Sequence, residues 1–367
     1  MKITSVKVFS YSLPLVKPLA VKDVQTKFRN GILIKLVLDN EHYGWGEIAP
    51  LEGYSKESIS DVLSQISIFR RFLPQDIHIN TESSLVIDIG TITEKYRYFP
   101  SVKFGLESAL LSAISHQTGK PIPELMGRSR TGQLSVNALL DGDIDTILLN
   151  ANSRYEQGFR SFKLKLGRKE ICDDTFIVNK LHESLPEDTS FRLDSNRSWN
   201  VEQFTEFLRN TRMERVEYYE EPLIDFNPEV YGTIHQAIPY NLALDETISV
   251  TSSDEYLSLP FVKAVVIKPT MLGLIDSIKI AQRAQEANIK TVFSSTFESS
   301  VGISIIAQCA STFGTPGSAV GLDTLDRFEF DLRMPPITII DGLIDIDALT
   351  GSKSSVNLQM LKEASND

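Results

Sequence analysis

The chain has 367 residues, 42% of them apolar and 23% charged, with a net charge of −11, which fits one large or two ordinary globular domains. The acidic balance excludes duplex binding, which needs a concentrated basic face, and no basic-aromatic strip suits single strands. Cys172 and Cys309 are too few for a disulfide framework or a zinc site, and no apolar run reaches the length of a membrane span, so a cytoplasmic protein with neither nucleic-acid nor membrane partners is expected.

In chain order, residues 2–12 and 31–38 alternate polar and apolar side chains and predict two antiparallel strands. The polar stretch between them, 17–30, is long for a hairpin turn and is expected to be a functional loop, with 20–27 facing substrate. Gly44-Trp45-Gly46-Glu47 reads locally as a strand end, leading into the turn Pro50-Leu51-Glu52-Gly53-Tyr54-Ser55. Helical patterns follow from Ile59 and from Ser101 to about Gly119. This first third, 1–130, predicts an α+β capping domain.

From about Leu134 the texture becomes a strict alternation of strands and helices. Apolar runs recur at 134–140, 161–166, 191–194, 216–220, 242–245, 262–268, 291–295 and 318–322, with helical patterns such as 171–184, 201–210 and 274–287 between them. Eight such runs predict a parallel (β/α) barrel over 131–326. A doubly wound sheet is the alternative, but no glycine-rich dinucleotide fingerprint follows a strand, and neither a nucleophile elbow nor a phosphate loop is present. Strand-like segments at 337–340 and 342–346 are expected to return to the first domain, so 327–367 would complete it.

The chemistry-bearing residues end the barrel strands. Lys165, Asp194, Glu220, Asp245 and Lys268 follow one another at intervals of roughly 23 to 29 residues, about one strand-plus-helix unit, and a parallel barrel carries its chemistry at the C-terminal strand ends. Alone, Lys163 and Lys165 fit an exposed strand face, and a single carboxylate fits a rim salt bridge. Three carboxylates on successive strands flanked by lysines fit a metal site better. Asp194, Glu220 and Asp245 suit Mg2+, with Mn2+ as a substitute, because hard cations take oxygen ligands and leave room for substrate oxygens. His42, His78, His116, His182 and His235 lie away from every strand end, and the expected substrate is a small carboxylate. Lys165 is the expected base, Lys268 faces it across the mouth, and the like charge of Lys163 is expected to lower the pKa of Lys165. A base beside a metal that gathers negative charge is what removing a proton α to a carboxylate requires.

Six motifs carry a resemblance: Lys163-Leu164-Lys165, Asp194-Ser195-Asn196-Arg197-Ser198-Trp199, Glu220-Glu221-Pro222, Asp245-Glu246-Thr247, Lys268-Pro269-Thr270 and Ser294-Ser295-Thr296-Phe297-Glu298-Ser299. Together they resemble the muconate-lactonizing subgroup of the enolase superfamily, which implies a modified TIM (β/α)7β barrel under an α+β cap. Arg192, Val265-Val266-Ile267 and Gly321-Leu322-Asp323-Thr324 are similar to the o-succinylbenzoate synthases within it. That resemblance implies a metal-assisted dehydration in menaquinone biosynthesis, with Lys165 acting as base and then acid, Lys268 as a fixed cation and Lys163 as a modulator. It also marks Arg192, Asn196, Ser294, Ser295 and Gly321 as candidate substrate contacts. Two departures stand out: Gly273-Leu274 replaces the Gly-Gly of many racemases, and Ser195 stands where alanine is commoner. An N-acylamino acid racemase or dipeptide epimerase is the alternative within the fold, and a non-catalytic binding protein on a degenerate barrel is the alternative outside it. Glu221 and Glu246 directly follow ligands, so they are expected to point the other way and act structurally.

Overall fold

The computed structural model describes residues 2–21, 24–71, 85–127, 130–167, 170–249, 253–350 and 355–364. Strands β1 (Ile3–Val21) and β2 (Val24–Leu38) form one long antiparallel hairpin, running from Ile3 opposite Leu38 out to Val21 opposite Val24, and β3 (Tyr43–Ile48) pairs with β2. The stretch 17–30 is therefore not the loop expected from its polarity. It is the outer arm of the hairpin, which leaves the core, so Lys17, Pro18, Phe28 and Asn30 are exposed and no apolar face marks it as strand. Lys22 and Asp23, within the expected substrate-facing stretch 20–27, lie outside the described residues.

Helices α1 (Ile59–Arg71), α2 (Leu85–Glu94) and α3 (Pro100–Thr118) accompany this sheet. Gly44 and Gly46 sit so close to α3 that a β-carbon on either would collide with the carbonyls of Ala109 or Gly105. The glycines thus let a helix backbone lie directly on β3.

A short α4 (Ile122–Leu125) leads to β4 (Gln133–Ser135) and β5 (Asn137–Leu140). The barrel continues through α5 (Ile144–Glu156), β6 (Ser161–Lys165), α6 (Ile171–Ser184), β7 (Ser190–Asp194), α7 (Val201–Asn210) and β8 (Val216–Glu220). It proceeds through α8 (Pro228–Ala237), β9 (Leu242–Leu244), α9 (Ser253–Leu257), β10 (Val262–Ile267), α10 (Pro269–Leu272), α11 (Leu274–Glu286), β11 (Lys290–Phe293) and α12 (Ser300–Phe313). Strands β5 to β11 form one seven-stranded parallel sheet in sequence order. The eighth run closes the ring by bridges, Val320 to Val136 on one side and Gly321 to Ser294 on the other.

Beyond the barrel, β12 (Arg333–Met334) pairs with β14 (Ser355–Val356), and β13 (Leu343–Asp345) pairs with β4. The segment 342–346 therefore braces the entry to the barrel and does not return to the cap sheet as expected. The strand that does return is β15 (Lys362–Glu363), which places Glu363 opposite Phe9 of β1. Among the described residues no helix is long and apolar enough to cross a membrane.

Two buried glutamates dock the cap onto the barrel by capping helix N-termini across the interface. Glu47 of β3 accepts from the backbone N–H groups of Ser299 (2.9 Å) and Gly302 (2.8 Å) at the start of α12. Glu107 of α3 accepts from Ile275 N–H of α11 (3.0 Å) and from the Thr93 hydroxyl (2.7 Å). Burial pushes the Glu107 carboxyl up to about 7 against the pull of these hydrogen bonds. Since the native pKa lies above the unfolded one, the native state holds a proton that the unfolded chain has already lost, and stability falls as pH rises between about 4.5 and 7. Glu107→Gln should remove this dependence. In chemical denaturation the variant should gain about 1–3 kcal/mol relative to wild type between pH 5 and pH 8, and parallel profiles for the two proteins would contradict a raised Glu107.

Candidate active site

The interior of the barrel has a regular side-chain order because strand residues two apart share a face. Tyr218, Ala243, Ala264, Val266 and Val292 form an apolar layer inside it. Two residues further along their strands stand Glu220, Asp245, Lys268 and Ser294, which this alternation places at the mouth. Register adds the rest: Lys165 lies opposite Asp194, and Asp194 opposite Glu220. The five strand-end groups picked out by spacing alone are thus brought together.

At the mouth the lysines are not equivalent. The Lys163 ammonium reaches Asp194 (2.8 Å) and both oxygens of Glu220 (2.6 and 2.7 Å). Burial alone would lower its pKa, but these two carboxylates override burial and raise it. Lys268 is paired with Asp245 and lies 3.4 Å from the Tyr54 hydroxyl; again burial is overridden, chiefly by Asp245, and the ammonium is reinforced. Lys165 contacts Asp194 (2.6 Å) and the Asn196 side-chain oxygen (3.0 Å), and its side chain, at 20%, is more exposed than those of Lys163 and Lys268 at 10% and 14%. Lys163, expected to act on Lys165 by like charge, therefore has carboxylates as its direct partners.

The three carboxylates also differ. Asp194 is held well below the usual range: burial opposes ionisation, but contact with both Lys163 and Lys165 prevails. Glu220 is pushed up to about 7, first by burial and then by the charge of Asp194. Asp245 is raised, mainly by burial, with Lys268 opposing.

Behind these groups a polar frame holds the loops. Glu221, in a left-handed conformation (φ 39°), accepts from the backbone N–H of Asp245 and of Thr247, both at 2.9 Å, and pairs with Arg197 at 3.0 Å. It fixes the turn that presents Asp245, as its outward position after a ligand implied. Arg197 also lies 3.6 Å from Glu246. Ser195 is buried and donates toward the Pro222 carbonyl, on the side of the strand away from the mouth.

Of the candidate substrate contacts, Asn196 sits beside Lys165, and Ser294 faces the interior and donates to the Gly321 carbonyl at 3.2 Å. Ser295 does not fit the expectation: its hydroxyl is turned to Thr324 at 2.7 Å, on the opposite side of the strand from Ser294. Arg192 is corrected as well. Alternation puts it one layer below Asp194, where it is fully buried and bonded to Asn137 (3.0 Å), the Ala319 carbonyl (2.7 Å), Ser318 (3.1 Å) and Glu217 (3.3 Å). There it belongs to the barrel's interior polar network. Tyr54, which the sequence placed only within a turn of interest, proves to be the cap residue that reaches Lys268. Its period-free, glycine-rich surroundings carry no signal that would single it out.

Asp194, Glu220 and Asp245 form a hard-oxygen donor set of the type that divalent cations such as Mg2+ use. Among the described residues no three carboxylate, imidazole or thiolate side chains converge on one point, and the ammonium groups contact all three carboxylates instead. Burial raises both Glu220 and Asp245, and the charge of Asp194 adds to the rise at Glu220; a divalent cation offsets the cost of ionising buried carboxylates side by side, so the donor set fits one.

Residues 147–352 match the family described as Enolase C-terminal domain-like, and residues 3–113 match the one described as MenC, N-terminal domain. A Pasteurella multocida protein named o-succinylbenzoate synthase is 30% identical over 351 residues, covering 93% of this chain and 95% of its own length. A Proteus mirabilis protein of the same name is 31% identical over 332 residues, covering 89% and 92%. Among solved structures, N-succinyl Arg/Lys racemase from Bacillus cereus superposes with a TM-score of 0.85 at 21% identity, covering 98% of this chain and 97% of the other. Muconate lactonizing enzyme from Pseudomonas fluorescens gives 0.84 at 21% identity, with 98% of both chains covered. At such identities these structures establish the fold.

Proposed function

This chain belongs to the enolase superfamily, and from that premise we propose that it is an o-succinylbenzoate synthase, a lyase that dehydrates 2-succinyl-6-hydroxy-2,4-cyclohexadiene-1-carboxylate. The curated relatives of that name match about nine-tenths of the chain. The observation that carries the mechanism is the setting of the lysines: Lys163 and Lys268 are buried and reinforced as cations by carboxylates, whereas Lys165, although paired with Asp194 at 2.6 Å, ends its strand with the most exposed side chain of the three.

The superfamily generally uses a divalent metal, and Mg2+, with Mn2+ as a substitute, is the ion proposed here, held by Asp194, Glu220 and Asp245. When bound it supplies charge stabilisation for the carboxylate next to the carbon that loses its proton. Lys165, in its neutral form, takes the proton from ring carbon 1, and the resulting ammonium gives it to the hydroxyl leaving carbon 6. Water departs, the ring becomes aromatic, and Lys165 returns to its starting state. Lys268, kept cationic by Asp245, lies where negative charge on the ring is favoured. With Lys165 neutral, the three carboxylates outnumber the two ammonium groups by about one charge, and a divalent cation turns that excess positive, which suits a substrate bearing carboxylates.

Two-base racemisation of an N-acylamino acid is the second reading, favoured by the placement of Lys165 on β6 and Lys268 beyond β10, four strands away in the ring, and by the racemase fold match. Lys268→Arg separates the two, since arginine keeps the charge but does not give up a proton. The variant should retain measurable formation of o-succinylbenzoate, while racemisation of N-succinyl and dipeptide substrates should fall by at least about 100-fold. Efficient racemisation by wild type with negligible aromatisation would replace the synthase reading. Metal binding without any α-proton exchange would make the chain a binding protein.

A further inference from the structure

Arg29 is buried at the contact between cap and barrel, and every bond it makes goes to a backbone carbonyl. Nε donates to Phe297 O (2.9 Å), Nη1 to Asn30 O (3.1 Å) and Pro50 O (2.6 Å), and Nη2 to Ala49 O and Thr296 O (3.2 Å). A guanidinium has five N–H donors in a rigid fork, so this one is fully used. The carbonyls belong to two segments of the mouth. Ala49 and Pro50 root the turn in which Leu51 O accepts from Tyr54 N (3.0 Å) and Ser55 N (2.7 Å), and that turn carries Tyr54 to Lys268. Thr296 and Phe297 follow directly on Ser294 and Ser295. Phe297 is left-handed (φ 59°), a conformation that a bulky residue keeps only when its surroundings enforce it. Arg29 Nε holds the carbonyl of that residue, and Glu298 accepts from the preceding Thr296 N–H at 2.7 Å.

We propose that Arg29 is a positioning residue for the reaction: its single guanidinium sets the spacing between the cap turn bearing Tyr54 and the barrel turn that follows Ser294. The inference rests on the reading of this mouth as the active site. Because the two turns form one wall and Lys165, Asp194 and Glu220 stand on other strands, loosening the wall acts on how the substrate is held more than on the proton transfers.

The test compares wild type with Arg29→Met and Arg29→Lys, the latter keeping the charge but having only three donors and no fork. Arg29→Met should raise KM for the cyclohexadiene acid by at least about tenfold with a smaller loss in kcat, and Arg29→Lys should fall between it and wild type. Hydrogen–deuterium exchange should quicken at 51–55 and 294–298 in both variants, with β6 to β8 unchanged, and Mn2+ titrated by electron paramagnetic resonance should bind as in wild type. Unchanged KM and unchanged exchange in folded Arg29→Met would overturn the proposal. So would exchange that quickens uniformly over the cap while KM stays the same, which is the mark of a scaffold residue. If Arg29→Met does not fold, Arg29→Lys is read by the same criteria. If wild type forms no o-succinylbenzoate, the functional reading fails, whereas the exchange comparison still decides the role of Arg29 in linking the two turns.

Discussion

Lys165→Ala is expected to reduce aromatisation by at least about a thousandfold, because one side chain serves as base and then as acid, and each such role contributes roughly 100- to 10,000-fold. The fold should survive the change. Lys165 ends β6 at the solvent edge of the mouth, and its partners Asp194 and Asn196 retain other contacts, Asp194 with Lys163 and Asn196 through its own backbone N–H to Asp194. Steady-state turnover measures the loss, and the absence of deuterium uptake from heavy water into recovered substrate shows that the first proton transfer has gone. Lys163→Ala is a different experiment, since it strips Glu220 of an ammonium that contacts both its oxygens and leaves buried charge uncompensated. Normal turnover by Lys165→Ala together with a dead but folded Lys163→Ala would move the base to Lys163.

Asp194→Asn, Glu220→Gln and Asp245→Asn are each expected to lose at least about 100-fold in activity through weakened metal binding, and excess chelator should silence wild type until Mg2+ or Mn2+ is restored. Glu220→Gln gives the sharpest contrast. Its carboxyl is pushed up to about 7 by burial and by the neighbouring Asp194, so above neutral pH the ionised group opposes folding, and the neutral amide removes that opposition. The metal-free variant at pH 8 should therefore be at least as stable as wild type while being far less active. Thermal melts and activity measured on the same sample test both signs. Full turnover in excess chelator would refute the metal role, and a Glu220→Gln variant that is both active and destabilised would refute the electrostatic account.

The strand ends were legible because barrel chemistry is written locally. An apolar run of period two, followed by a carboxylate or lysine and then a helix, repeats often enough to be seen without a structure, and parallel strands have no choice but to deliver those ends to one mouth. Alternation also put Ser195 and Glu221 on the outward side, whereas Ser294 and Ser295, both expected to meet substrate, were separated only by the structure, which turns Ser295 to Thr324. The same rule could not say which side chains of a lower layer reach the mouth, as Lys163 does at the level of Arg192. Arg192 shares a face with Asp194, yet one layer lower it is sealed among Asn137, Ser318 and Glu217.

What the sequence by itself determined is therefore the barrel, the order of its strands and the carboxylates and lysines at their ends, all of which follow from patterns that span a few residues. What only the tertiary structure decided is how the cap is seated and what it brings. The tip of the arm at 17–30 pairs with itself, and most of the described residues in that stretch are exposed, so its strand character left no apolar signature. Glu47 finds α12 252 residues away, Glu107 finds α11 168 residues away, and Arg29 reaches Phe297 across 268. A polar side chain carries no mark of a partner so distant, because its burial becomes favourable only once the other domain supplies the donors or carbonyls that satisfy it.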